Sequence, residues 1–161
     1  MENENVYLRL LMVSDAAISW RWRNDPDIWK YTGNNNVGGV TEEIERKWAE
    51  SVTQDPTRIN YAICLSPSNR YIGNIYLVNI KENTGELGIF IGDKNVYGNG
   101  YGTLALKQFM KIVSEKFAIK KIIIKVRPDN MAARSIYEKC GAKYLYNEND
   151  WMVMESNLII S

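Results

Sequence analysis

The chain has 161 residues, 45% hydrophobic and 24% charged with a net charge of +1, a balance that fits one globular domain with one core. It contains no histidine, which excludes Ser-His-Asp and Cys-His nucleophile systems and histidine-bearing zinc sites. A general base must therefore be a carboxylate, a perturbed Lys or Tyr, or water.

Residues 6–11 form a first strand, ended by the capping pair Ser14-Asp15. A helix follows to about Asn24, where Asp25-Pro26 signals a turn. Thr41 caps a second helix with Glu42 and Glu43 at its positive end, and Ile44, Trp48 and Val52 predict its buried stripe. The period then changes to two. Ile59, Tyr61, Ile63 and Leu65 alternate with Asn60, Ala62 and Cys64, the pattern of a half-buried strand. Pro67-Ser68-Asn69 turns the chain into a hairpin partner over 71–80, and Asn83-Thr84-Gly85 leads to a strand over 86–91.

Beyond a glycine-rich turn, Leu106, Phe109, Met110, Val113 and Phe117 mark a long amphipathic helix. Residues 122–126 are almost wholly apolar, which predicts a strand covered on both faces. A helix over 129–140 places Ala133, Ile136, Tyr137 and Cys140 on one stripe, with Gly141 as its stop. Segments 144–146 and 151–155 flank Asn147-Glu148-Asn149-Asp150 as a final hairpin. A meander, then strand-helix-strand-helix, then a hairpin predicts one α/β (mixed α+β) domain over 1–161.

Cys64 and Cys140 have neither disulfide-framework nor metal-ligand spacing, so no metal is expected. No apolar run approaches the ~20 residues of a membrane span, and the acidic start has no signal-like segment behind it, so the expected setting is the cytoplasm. Residues 94–143 carry eleven Lys/Arg against three Asp/Glu, while 1–93 carry nine against thirteen. A solvated helix face explains this as readily as attraction of a polyanion. The nearly neutral whole and the lack of a recognised motif argue against nucleic acid.

In Tyr97-Gly98-Asn99-Gly100-Tyr101-Gly102-Thr103, three alternate glycines stand between a strand and a helix. Glycine admits positive φ and close backbone approach, and the amides opening the helix point at whatever anion lies there. The arrangement is a plausible pyrophosphate cradle. The dinucleotide fingerprint fails on glycine spacing and on the apolar Ile122-Ile123-Ile124 about 20 residues on, and the Gly-Lys-Ser/Thr of a P-loop is missing.

Residues 88–103 and Asp129-Asn130-Met131-Ala132-Ala133-Arg134-Ser135-Ile136-Tyr137-Glu138-Lys139-Cys140-Gly141 together resemble the GNAT family of N-acetyltransferases. The likeness is greatest to its ribosomal-protein and small-amine branch. The resemblance covers about 6–155 and implies a mixed, mostly antiparallel sheet of about seven strands flanked by about four helices. It further implies acetyl-CoA as co-substrate in a V-shaped gap between 86–91 and 122–126. Backbone around Ile89, Phe90 and Ile91 would hold the pantetheine arm, with an amide of Phe90 or Ile91 stabilising the oxyanion. Amides of Gly98, Asn99, Gly100, Tyr101, Gly102 and Thr103 would take the pyrophosphate, assisted by Tyr97, Asn130 and Arg134.

Two positions depart from the family's pattern. Tyr97 stands where Gln or Arg is common, and Ala142 where an aromatic is usual.

The implied mechanism is direct attack by a neutral amine, with Tyr137 protonating the departing thiolate. Periodicity alone would make Tyr137 a core residue. Glu86 is the candidate base, its pKa raised by partial desolvation; an ordinary strand-end glutamate and a water relay are the alternatives. Asn130 would equally serve as a helix cap.

At the acceptor end, Trp22, Arg23, Asn24, Trp29 and Tyr31 concentrate aromatic faces and a guanidinium suited to stacking or cation–π contact, and 34–39 reads as a loop over the substrate. The expected acceptor is a small amine or a nucleotide-linked amino sugar. Polyamines, aminoglycoside-like amines and protein N-termini compete, and a non-catalytic acyl-CoA-binding module is the alternative class. The expected partners are thus a small-molecule amine and, as a homodimer, a second copy of the chain, with neither nucleic acid nor membrane.

Overall fold

The computed structural model describes residues 4–30 and 38–158. Seven strands form one sheet in the order β1-β2-β3-β4-β5-β7-β6. They are β1 (Asn5–Leu10), β2 (Ile59–Ser66), β3 (Arg70–Lys81), β4 (Thr84–Ile91), β5 (Lys121–Val126), β6 (Lys143–Glu148) and β7 (Trp151–Asn157). Five α-helices accompany them: α1 (Ala16–Arg23), α2 (Pro26–Trp29), α3 (Glu42–Gln54), α4 (Tyr101–Phe117) and α5 (Met131–Lys139). Every neighbouring pair is antiparallel except β4 and β5, which are parallel. A parallel pair needs a long crossover, and α4 supplies it.

The main core lies between the sheet and α4 with α5. Phe109, Leu106 and Val113 meet Ile75, Leu77 and Ile122, all almost fully buried. On the other face, Leu11, Val52, Ala62, Cys64 and Tyr71 form a second cluster with Trp22 and Trp48 against it. This second cover corrects the expected half-burial of β2, because 59–65 are buried on both faces. The reverse holds for β5. Ile122, Ile124 and Val126 are buried, but Lys125 is exposed and Ile123 only half-buried.

Two helix readings change. Asp25-Pro26 starts a helix rather than only ending one: the Asp25 carboxylate accepts the Asp27 amide at 3.0 Å and Pro26 fills the first helical position. This adds α2 to the expected four helices. In α3 the buried stripe is Glu45, Ala49 and Val52, whereas Ile44 is 52% exposed. The stripe is rotated because Glu45 pairs inward with Arg23 at 3.0 Å. The stop of α5 follows expectation. Gly141 adopts φ +93°, its amide reaches the Glu138 carbonyl, and the Ala142 amide reaches the Tyr137 carbonyl, each at 3.0 Å. No helix among the described residues is long and apolar enough to cross a membrane.

Candidate active site

The parallel ladder between β4 and β5 ends at Glu86↔Ile123, although β4 runs on to Ile91 and β5 to Val126. The strands therefore separate beyond Glu86 and leave a gap in the sheet. The antiparallel ladder on the far side of β4 decides which peptide groups face it. Gly73 pairs with Ile91, and the Gly92 amide donates to the Ile72 carbonyl at 2.7 Å. Alternation then gives the peptide groups of Gly88 and Phe90 to β3 and turns those of Leu87, Ile89 and Ile91 toward the gap. Of the two expected oxyanion amides, Ile91 faces the gap and Phe90 does not, and Ile89 faces it as well. The Ile91 carbonyl is already occupied by the Tyr97 hydroxyl at 2.9 Å, which engages that phenol within the protein.

At the mouth of the gap the glycine turn opens α4. Gly98 and Gly100 hold φ +84° and +76°. A Cβ at either would meet nothing within 4 Å, so glycine answers there to backbone conformation. The Asn99 amide braces the turn on the Val96 carbonyl at 2.8 Å. Gly100 caps α4 without a side-chain bond, which leaves the first-turn amides of Tyr101, Gly102 and Thr103 at the positive end of a 17-residue helix. This backbone fits an anionic diphosphate. Asn130 caps α5, its side-chain oxygen accepting the Ala133 amide at 3.2 Å. Arg134 donates to the Pro128 carbonyl at 2.9 Å while its Nε is buried without a partner. Replacing Gly100 by Ala should cost about 1–2 kcal/mol through the left-handed backbone and weaken coenzyme binding. Thermal melts with and without acetyl-CoA check both effects; an unchanged coenzyme-induced shift would exclude the turn as the diphosphate cradle.

Between α4, α5 and β5, Tyr137 is 9% exposed and lines a narrow crevice with Leu106, Met110, Ile122, Ile124 and Cys140. Burial pushes its pKa up to about 12, with a smaller contribution from Tyr76. The phenol is thus fully protonated near neutrality and able to donate.

Glu86 corrects the expected direction. Its carboxylate accepts the Asn79 amide and pairs with Lys125 at 3.2 Å. Asn79 first, then Lys125, outweigh desolvation and hold the Glu86 pKa below the usual value. Asn79 reaches it from an irregular stretch of β3, at φ +52°, a conformation asparagine tolerates. Because the folded pKa is depressed, Glu86 contributes stability above the ordinary carboxylate range that is lost as pH falls through the depressed value. Glu86→Gln should therefore flatten part of the loss of stability between pH 5 and 3, measured by urea unfolding; an unchanged acid limb would refute the pairing.

The acceptor-side residues divide into two groups. Trp22 packs on Tyr71 and Phe90, with centroids 4.8 and 6.1 Å away, and Trp29 packs on Phe90 at 4.9 Å. The Trp29 indole donates to the Trp22 carbonyl at 2.8 Å, so both form an aromatic wall on β4. The polar pair holds the scaffold. Arg23 binds Glu45, and the Asn24 side chain both donates to and accepts from Val40 backbone, at 2.8 and 2.9 Å. Tyr31 and residues 34–37 lie outside the described residues.

Sequence reasoning missed Tyr76, Gly88 and Gly92. A Cβ on Gly88 would fall 2.2 Å from the Tyr76 ring, and one on Gly92 2.0 Å from the Trp22 ring. Both glycines leave room for aromatic rings laid against β4, which is legible only once the cross-strand partners are known.

A seven-stranded sheet that parts at its parallel β4/β5 pair, with the N-terminus of a long helix after the parting strand, is the architecture of an acyltransferase domain. The chain belongs to the GNAT acetyltransferase family: the family's model, an acetyltransferase (GNAT) domain, matches residues 5–143. An uncharacterised protein of Methanocaldococcus jannaschii is 23% identical over 164 residues, covering 98% of this chain, which spans only 32% of that protein's length. Among solved structures, Mycobacterium smegmatis RimJ in complex with CoA-disulfide aligns with a TM-score of 0.84 at 16% identity, over 94% of this chain and 81% of its own. The spermidine N-acetyltransferase of Vibrio cholerae, in complex with CoA and spermine, aligns with a TM-score of 0.82 at 18% identity, over 95% of each chain.

Proposed function

We propose that this chain transfers the acetyl group of acetyl-CoA to a primary amine, in the cytoplasm, by direct attack without an acyl-enzyme. The observation that carries this reading is the gap beyond Glu86↔Ile123, with the glycine turn that opens α4 following β4 and the protonated Tyr137 phenol beside β5. The gap-facing amide of Ile89 or Ile91 polarises the thioester carbonyl, and the turn over 98–103, with Arg134, holds the diphosphate. The amine lone pair forms the new C–N bond while the C–S bond breaks toward sulfur. Tyr137 gives its proton to the departing thiolate, and the surplus proton of the new ammonium leaves through the Glu86 carboxylate or water. Solvent then restores the phenol.

Lowered in pKa, Glu86 is a weak base at the thioester and an effective anionic anchor for a cationic acceptor. Small amines therefore head the acceptor list, with nucleotide-linked amino sugars next. The test is thiol release from acetyl-CoA across spermidine, a nucleotide-linked amino sugar, an aminoglycoside and a peptide with a free N-terminus. Turnover on spermidine or the amino sugar supports the small-amine reading. Turnover on the peptide alone makes the chain a protein N-terminal acetyltransferase. Binding of acetyl-CoA without turnover on any of them makes it a non-catalytic acyl-CoA-binding module.

A further inference from the structure

Tyr76 sits on β3 directly opposite Gly88, with Glu86 and Phe90 two residues away on the same face of β4. The contact with Gly88 is close enough that an added Cβ would lie 2.2 Å from the Tyr76 ring and 2.6 Å from its hydroxyl oxygen. The ring and its hydroxyl therefore lie over Gly88, on the face of β4 that also carries Glu86 and Phe90. The ring is clamped from its other side. The Arg58 guanidinium lies 5.3 Å from the ring centroid and donates twice to the Asn60 side-chain oxygen, at 3.1 and 3.2 Å. The Asn60 amide is in turn tied to the Val52 carbonyl at 2.9 Å. A half-buried aromatic held on both faces by a strand and a cation is pre-organised. Its hydroxyl has no hydrogen-bond partner among the described residues. Tyr137 lies in the crevice between α4, α5 and β5.

We propose that Tyr76 is a catalytic residue on the acceptor side: its hydroxyl oxygen accepts an N–H of the incoming neutral amine and turns the nitrogen lone pair toward the thioester carbonyl. This rests on the acetyl-transfer reading. Tyr76 keeps its own proton throughout, while the nitrogen forms its bond to the carbonyl carbon, the C–S electron pair goes to sulfur with the Tyr137 proton, and the nitrogen's surplus proton leaves to Glu86 or water. Two phenols thus divide the work, Tyr137 at the leaving group and Tyr76 at the nucleophile.

Tyr76→Phe tests the assignment because it keeps the ring on Gly88 and under Arg58 and removes only the hydroxyl. With the best acceptor of the amine panel, kcat/KM should fall about tenfold, the worth of one hydrogen bond lost to a polar substrate. The acetyl-CoA KM, the thermal midpoint and the acetyl-CoA-induced thermal shift should stay at the wild-type values. A kcat/KM within twofold of wild type overturns the role of Tyr76 and leaves acetyl transfer standing. A fall in the thermal midpoint with a matching rise in the acetyl-CoA KM makes Tyr76 a structural residue and overturns it as well. No turnover by the wild-type chain on any amine removes both readings.

Discussion

Tyr137→Phe is expected to lower kcat about a hundredfold, the lower end of what a positioned general acid contributes, while moving the thermal midpoint by no more than about a degree. The second half follows from the hydroxyl's setting. The side chain is buried in an apolar crevice and the hydroxyl has no hydrogen-bond partner among the described residues, so removing it leaves no group unsatisfied. The first half follows from the same burial. With a pKa of about 12, the phenol is protonated throughout the working range and, in the proposed mechanism, holds the proton that the departing thiolate takes. A further reading separates this role from packing. The folded pKa is raised above the ordinary value of 10.0, so the wild type loses stability as pH climbs from 10 toward 12, whereas the variant lacks that component. Urea unfolding at pH 8 and pH 11 should show the difference between the two proteins growing with pH. A kcat within threefold of wild type would remove Tyr137 from the chemistry, and a difference that stays flat with pH would contradict its burial as a neutral phenol.

The residues that sequence made legible are those whose reason is local. Gly98 and Gly100 need positive φ, Gly141 ends a helix, and Thr41 caps one, the Ile44 amide donating to its hydroxyl at 3.2 Å. Each depends on neighbours within a turn, so pattern alone places it. The fold followed from order: one strand-helix-strand crossover among hairpins admits few sheets. What escaped depends on partners far along the chain. Tyr76 and Gly88 make sense only as a cross-strand pair. The Glu86 pKa takes its sign from Asn79 and Lys125, on two other strands. The α3 stripe was misplaced by one residue because an inward ion pair overrode hydrophobic periodicity, and β2 and β5 exchanged their expected exposures because helix coverage, not strand composition, decides burial. The proposed coenzyme half of the site is therefore written in motifs, whereas the proposed acceptor half is written in contacts.

That ion pair carries the largest stability effect expected here. Glu45→Gln should destabilise the chain by about 3–5 kcal/mol, the cost of leaving a buried charge without its partner. The Glu45 side chain is 2% exposed and Arg23 19%, with Nε 3.0 Å from the carboxylate. The contrast lies on the same helix. Arg46 and Glu42 pair at 3.5 Å with side chains 55% and 46% exposed, and breaking that pair should cost no more than about 0.5 kcal/mol. Arg23 also stacks over Trp48 at 4.2 Å, Trp29 at 5.0 Å and Phe90 at 5.3 Å, and one of its terminal nitrogens is already buried without a partner. Losing Glu45 therefore strands a cation among the aromatics packed on β4, and if they form the proposed acceptor wall, acceptor kinetics should weaken at temperatures where acetyl-CoA binding is intact. Replacing both members, Arg23→Met with Glu45→Leu, removes the stranded charge and should recover most of the loss, since an apolar pair of similar volume avoids desolvating two ions. Urea unfolding of the two singles and the double closes the cycle. A Glu45→Gln cost below about 1 kcal/mol, or a double variant no better than the worse single, would show that this pair holds neither the helices nor the wall together.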